Sequence, residues 1–303
     1  MDIPTLEEFL AFPIDKIRSV VPASLIFAAG GTRRSVALSG MTRDDYASWA
    51  LQHMLETYQT FYNYGVRHLI APITHPRMFK EKGHYGENFI TWMEQGLAGP
   101  ETLKYYHKAG WNVHLIVAAS TTTSDPRVQR VQKLAQYIGE TTPHADTHLW
   151  YFVVPDYDDL WRWVIERLVT IQHQITGRHA IKSLYGIDIP PADLLVSFGK
   201  PTMSPDILPP FLWNVVQAYW TQQPSYMLNG DTLPRIFYDY AYLRNTYRTD
   251  KTGREEAVLS SSELWTNGPT IGLGNRVGPY WYPQPFSIPE RAIDDQAKEQ
   301  YHA

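Results

Sequence analysis

The chain has 303 residues, 44% hydrophobic and 19% charged, with a net charge of −4. That apolar content builds an ordinary globular core, and the acidic balance excludes the broadly basic footprint of a nucleic-acid binder. The absence of cysteine excludes disulfide scaffolds, thiolate metal sites and thiol nucleophiles, and fits a cytoplasmic address.

The N-terminal "MDIPTLEEFLAFPI" lacks the basic and long apolar regions of a signal peptide. No run of about 18 apolar residues follows anywhere, so no membrane span is expected. The first strong element is "SLIFAAGGTRRSV", residues 24–36, an apolar strand that stops at Gly30-Gly31 before Arg33 and Arg34. In "MTRDDYASWALQHMLETYQTFYNYG", Ala47, Ala50, Leu51, Met54, Leu55, Tyr58 and Phe61 recur at i, i+3, i+4 spacing. That period predicts a helix, with Thr42 and Asp45 as a capping arrangement and Gly65 as its stop.

A buried strand is expected over 66–74, then helices around Phe89–Leu97 and over 100–109. Residues 111–120 read as a strand, Pro126–Tyr137 as a helix and 148–155 as a strand. A strongly periodic helix follows, stopped by Gly177, and then a fifth strand over 192–199. Two more helices are expected near Leu208–Trp220 and Thr232–Tyr247. From about Arg248 the chain is rich in Gly and Pro without a clear period. Strands alternating with helices predict an α/β fold, one domain over 1–303 with a mostly parallel sheet and a long C-terminal wrap. In such folds ligands bind at the carboxyl ends of the strands.

The Gly-Gly-Thr-Arg-Arg turn stands at such an end. Glycines let backbone N–H groups approach an anion, and arginines grip phosphate bidentately. The turn therefore reads as a phosphate or diphosphate cradle, or else as a surface turn with solvated arginines. There is no Walker A motif, and "GLGNRVG" at 272–278 lacks a strand–helix context. Asp156-Tyr157-Asp158-Asp159 matches an acidic proton-donor pattern of class II terpene cyclases, but acids at a helix start are the commoner device. The 11 histidines show no close ligand pairing, and no G-x-S-x-G elbow is present. Tyr46, after Asp44-Asp45, either faces the arginine crevice or is a partly buried helix tyrosine. The chain is 14% aromatic, which suits either an aromatic-rich core or an aromatic-lined cavity.

The turn resembles the Asp-Gly-Asn-Arg-Arg motif of cis-prenyltransferases, which grips an allylic diphosphate after the first strand. "DLLVSFGKPTMSPDILPPFLWNVVQAYW" is similar to a second block of that family through Asp193, Leu194, Leu195, Gly199, Phe211, Leu212, Trp213, Ala218 and Tyr219. Ser197 stands where that block carries an arginine for isopentenyl diphosphate, which argues against chain elongation. The likeness is stronger to an offshoot of this fold, the diterpene synthases of the tuberculosinyl adenosine transferase and kolavelool synthase group. Those carry Asp-Gly-Thr-Arg-Arg and Asp-Asp-Tyr, here Gly30–Arg34 and Asp44-Asp45-Tyr46, and "YGVRHLIAPI", "PSYML", "RIFYDYAYLR" and "IGLGNRVGPYWY" are further similar stretches.

The resemblance implies a cis-prenyltransferase (undecaprenyl diphosphate synthase)-like α/β fold with a mostly parallel central sheet. It implies that Gly30, Gly31, Thr32, Arg33 and Arg34 bind a diterpenyl diphosphate, with Tyr46, Arg33 and Arg34 catalytic. Asp45, Trp49, Tyr85 and Phe89 are implied for the substrate pocket, Phe89 or Tyr85 standing where the group has an active-site tyrosine. The implied reaction ionises a bicyclic C20 diphosphate such as kolavenyl diphosphate, and water captures the cation. Transfer to a nucleoside such as adenosine is the alternative, and a non-catalytic prenyl-lipid-binding partner subunit is another. Mg²⁺ and a homodimer are implied as well, although the family aspartate that helps hold the metal is Gly30 here.

Overall fold

In the computed structural model, the residues described are 3–41, 46–81, 84–169, 176–228, 230–244, 258–259, 262, 266 and 270–284. Two short helices, α1 (Leu6–Leu10) and α2 (Ile14–Arg18), precede the first strand, β1 (Ser24–Ala28). Thr5 caps α1 in a capping box with Glu8, satisfying two backbone donors reciprocally. Next come α3 (Thr32–Leu38), α4 (Tyr46–Asn63), β2 (His68–Pro72), α5 (Pro76–Lys80), α6 (His84–Ala98) and α7 (Pro100–Ala109). They are followed by β3 (Trp111–Val117), α8 (Pro126–Thr141), β4 (Thr147–Val153), α9 (Tyr157–Leu168) and α10 (Gly177–Tyr185). Strands β5 (Ala192–Phe198) and β6 (Trp213–Thr221), helix α11 (Thr232–Tyr238) and a hairpin of β7 (Gly274–Val277) and β8 (Tyr280–Pro283) complete the order.

Six strands form one all-parallel sheet in the order β3-β4-β2-β1-β5-β6. The fold expected from the sequence, a mostly parallel sheet flanked by helices, is therefore the one observed. Side chains alternate across each strand and divide the core in two. Leu25, Phe27, Leu69, Tyr151, Leu194 and Val196 face one layer, packed by Tyr58 and Phe61 of α4, Met93 of α6 and Val131 of α8. Ile26, Ile70, Trp150, Phe152 and Leu195 face the other, against Leu160 and Trp163 of α9 and Ile181 of α10. Each large apolar side chain so buried contributes about 1.5–3 kcal/mol of transfer free energy, which is what holds helices this short on the sheet. Among the described residues, no helix is long and apolar enough to cross a membrane.

Three expectations need correction. Leu208–Trp220 is not a helix: Trp213–Thr221 is β6, an edge strand paired with β5 from Ala192↔Trp213 to Phe198↔Thr221. Its apolar residues at 212, 213, 215, 216 and 219 match a helical period, but aromatic and β-branched side chains sit well on a pleated edge. Gly177 does not stop a helix. The preceding helix ends at Leu168, and Gly177 opens α10, capped by the Thr176 hydroxyl accepting from the His179 N–H at 3.4 Å. The helix expected over Thr232–Tyr247 is α-helical only to Tyr238 and continues as a π-turn over Asp239–Leu243. The C-terminal stretch without a period carries the β7–β8 hairpin. The cap expected from Thr42 and Asp45 lies outside the described residues.

Candidate active site

β1 is the centre of the strand order, with β2 on one side and β5 on the other. A chain that leaves such a strand in two directions opens a crevice at its carboxyl end. The turn that leaves β1 is held from the opposite side of that crevice. The Gly30 N–H donates to the Ser225 hydroxyl at 2.7 Å, and the Ser225 N–H donates to the Gly30 carbonyl at 3.1 Å. Ser225 is buried, so neither bond competes with water.

The two glycines have a steric reason. A Cβ at position 30 would lie 3.1 Å from Phe198 Cδ1, and one at position 31 would lie 2.8 Å from Phe198 Cε1. Gly31 also has φ +70°, the left-handed conformation that starts α3 and that other residues adopt at a cost. Thr32, Arg33 and Arg34 form the first turn of α3, with both arginines exposed. The Thr32 and Tyr46 hydroxyls are hydrogen bonded at 2.9 Å, so the first residue of α4 returns to the arginine turn. An open cleft of about 290 Å³ is lined by Arg33, Arg77, Met78 and Glu81. Arg77 comes from α5, which starts just past the carboxyl end of β2 and is capped by His75 Nδ1 accepting from the Arg77 N–H.

Behind Tyr46 lies a column of tyrosines. Burial raises the pKa of Tyr226, and the neighbouring Tyr46 raises it further. Burial likewise holds Tyr58 and Tyr151 well above the ordinary phenol range, with Tyr226 adding to the effect at Tyr58. Tyr106 and Tyr151 share a hydroxyl hydrogen bond at 3.0 Å. These hydroxyls stay protonated at any physiological pH, a polar thread in an otherwise apolar layer.

The residues expected at the site are thus brought together in part. Gly30, Gly31, Thr32, Arg33, Arg34 and Tyr46 share one corner. Trp49 lies one turn further along α4 with its ring stacked on His53 at 3.9 Å. Phe89 of α6 meets Phe79 of α5 edge-on at 6.0 Å. Tyr85 belongs to the first turn of α6 by its backbone, and Asp45 lies outside the described residues. Asp156 proves structural: it caps α9 by accepting from the Asp158 N–H at 2.9 Å and pairs with Lys80 at 3.1 Å. Those bonds lower its pKa, the opposite of what a proton donor needs.

The turn does not fit Mg²⁺. Position 30 offers no carboxylate, and a side chain there would press on Phe198, whose Cδ1 lies 3.1 Å from where its Cβ would stand. Among the described residues, no group of three or more His, Asp or Glu gathers as a metal-ligand set. No chemical step is therefore assigned to a metal here.

Over 288 residues the chain is 39% identical to (+)-kolavelool synthase of Herpetosiphon aurantiacus, an alignment covering 94% of this chain and 97% of that protein. The chain belongs to the kolavelool synthase family. Membership in the kolavelool synthase family makes it an enzyme of the terpene synthase type. It is also 24% identical over 260 residues to tuberculosinyl adenosine transferase of Mycobacterium tuberculosis, covering 81% of this chain and 85% of that one. A probable undecaprenyl diphosphate synthase from Campylobacter jejuni superposes with a TM-score of 0.54 at 14% identity, over 75% of this chain and 97% of that chain. That likeness shows the fold, a cis-prenyltransferase sheet. No protein-family model matches the chain.

Within this kolavelool synthase family member, three further residues that the sequence did not single out stand at the arginine turn or its cleft: Arg77, Phe198 and Ser225. Arg77 lies just past the carboxyl end of β2, where the strand-end rule would have found it. Phe198 closes β5 and meets the same rule, but its contact with Gly30 depends on how β1 and β5 pair. Ser225 lies in "PSYML", a stretch similar to the family to which no role had been attached.

Proposed function

We propose that the chain ionises a bicyclic C20 allylic diphosphate, such as kolavenyl diphosphate, and captures the cation with water to give a diterpene alcohol and diphosphate. The observation that carries this reading is the pairing of Arg33 and Arg77 in one cleft, with Arg34 next to Arg33 in the first turn of α3 and Thr32 bonded to Tyr46. In ionisation the C–O bond breaks and both electrons stay on the departing diphosphate. Three guanidinium groups offset that charge where it develops, which is the largest single contribution available to such a step. The oxygen of water then adds to the allylic cation, and its proton passes to the released diphosphate. The Tyr46 hydroxyl, held by Thr32, orients the incoming water. Gly30 leaves no carboxylate in the turn itself, and Glu81, which lines the same cleft, is the alternative base to the leaving group.

The test incubates purified protein with kolavenyl diphosphate and a panel of other allylic C20 diphosphates, followed by gas chromatography and a diphosphate assay. A diterpene alcohol released with diphosphate is expected. An adduct formed only when adenosine is present would replace water with a nucleoside as acceptor, in line with the adenosine transferase relative. Arg33→Ala, Arg34→Ala and Arg77→Ala should each lower turnover at least about tenfold. Unchanged rates in all three variants would sink the assigned role.

A further inference from the structure

Arg34 is bracketed by two rings. Its Cζ lies 5.2 Å from the centroid of Phe198 and 4.7 Å from that of Tyr280. Phe198 closes β5, and Tyr280 opens β8 of the C-terminal hairpin, so residues from two distant parts of the chain meet at one exposed guanidinium. Guanidinium groups stack favourably on aromatic faces while their N–H donors point outward in the plane of the group. A stacked arginine therefore keeps its fork free for an anion. An arginine without such support must give up side-chain freedom when the anion arrives. The absence of Cβ atoms at Gly30 and Gly31 belongs to the same device, since it admits the Phe198 ring beneath the turn.

We propose that Phe198 and Tyr280 are positioning residues that hold Arg34 toward the departing diphosphate, and that the β7–β8 hairpin is a wall of the diphosphate site. The proposal rests on the reading of the arginine turn given above. Both rings act through Arg34 and neither is assigned contact with the reacting carbon. Removing Tyr280 should thus matter only while Arg34 is present. Tyr280 is 47% exposed, so trimming it leaves the core intact.

The experiment measures binding of inorganic diphosphate by titration calorimetry and turnover of kolavenyl diphosphate on the full chain. The variants are Arg34→Ala, Tyr280→Leu, Tyr280→Phe, Phe198→Leu and the double variant Arg34→Ala/Tyr280→Leu. Arg34→Ala is expected to weaken binding at least about tenfold and Tyr280→Leu about three- to tenfold, while Tyr280→Phe, which keeps the ring, rescues it. In the Arg34→Ala background Tyr280→Leu should change binding less than about 1.5-fold, the signature of one residue acting through another. Equal penalties in both backgrounds would overturn the proposal, leaving the hairpin a structural role. A normal Tyr280→Leu beside a weakened Arg34→Ala would overturn it while the arginine reading stands. A normal Arg34→Ala would instead remove the reading on which the proposal rests. If Phe198→Leu does not fold, the Tyr280 series decides alone.

Discussion

Gly30 and Gly31 look interchangeable in the sequence, and the structure separates them. At position 30 a Cβ would meet Phe198 Cδ1 at 3.1 Å and Phe198 Cβ at 3.3 Å, whereas at position 31 it would meet the ring at 2.8 Å from a left-handed backbone. Gly31→Ala should therefore cost about 1–3 kcal/mol from conformation and overpacking together, and Phe198→Ala should recover only part of it. Gly30→Asp should be relieved by Phe198→Ala more than Gly31→Ala is, but not completely, because the Cβ of residue 198 stays 3.3 Å away. Thermal melts of the four variants check this, and equal rescue at both positions would contradict it. The residue scale is also where sequence reading reached furthest and stopped soonest. Arg33, Arg34 and Tyr46 were legible because they follow a strand end and a helix start. Phe198, Tyr280 and Ser225 were not, because what they do depends on distances between segments far apart in the chain.

At the scale of elements, β1 to β5 were legible from short apolar runs bounded by turn residues, and the long α4 and α8 from their period. The misread element, β6, lies at the edge of the sheet, where one strand side is unpaired and apolar spacing alone does not separate helix from strand. A different consequence comes from neighbouring strands that place His68, His114 and His148 side by side. His68 and His148 rings stack at 4.6 Å, and His114 stacks on Trp150 at 3.8 Å. Burial, then His148 and then Arg67, lower the His68 pKa to about 4. Burial and the other imidazoles lower that of His114 to about 3. Burial also lowers that of His148, against the pull of Asp146. The unfolded chain binds protons here near pH 6.5 and the folded one does not, so stability holds above about pH 6.5 and falls as pH drops toward 4 and then 3. Melting temperature followed from pH 7 to pH 4 should fall, and His114→Phe should flatten the slope. A pH-independent melt of the parent chain would contradict this account.

At the scale of the whole molecule, the aromatic excess divides between core and site. Trp111, Trp150, Trp163 and the buried tyrosines are largely structural, whereas Phe198 and Tyr280 gather at the arginine turn. Composition left both uses open because it counts rings without placing them. The parallel architecture was legible from alternation of elements, but the strand order was not, since it depends on which strands meet across the sheet.

The central place of β1 has a further outcome in solvent exchange. β1 is bonded along both edges and buried at all five residues, so its amides should exchange with deuterium only on global unfolding. Among the described residues, the hairpin that meets Arg34 pairs only with itself, and it should exchange much sooner. Mass-resolved exchange would show two rates in segments that meet at the arginine turn, and equal protection of β1 and β8 would refute this. On the proposed reading of the arginine turn, the floor of the site lies on the slowest-opening strand and one wall on a fast-opening one. On that proposal, substrate entry and product escape need only the wall to open.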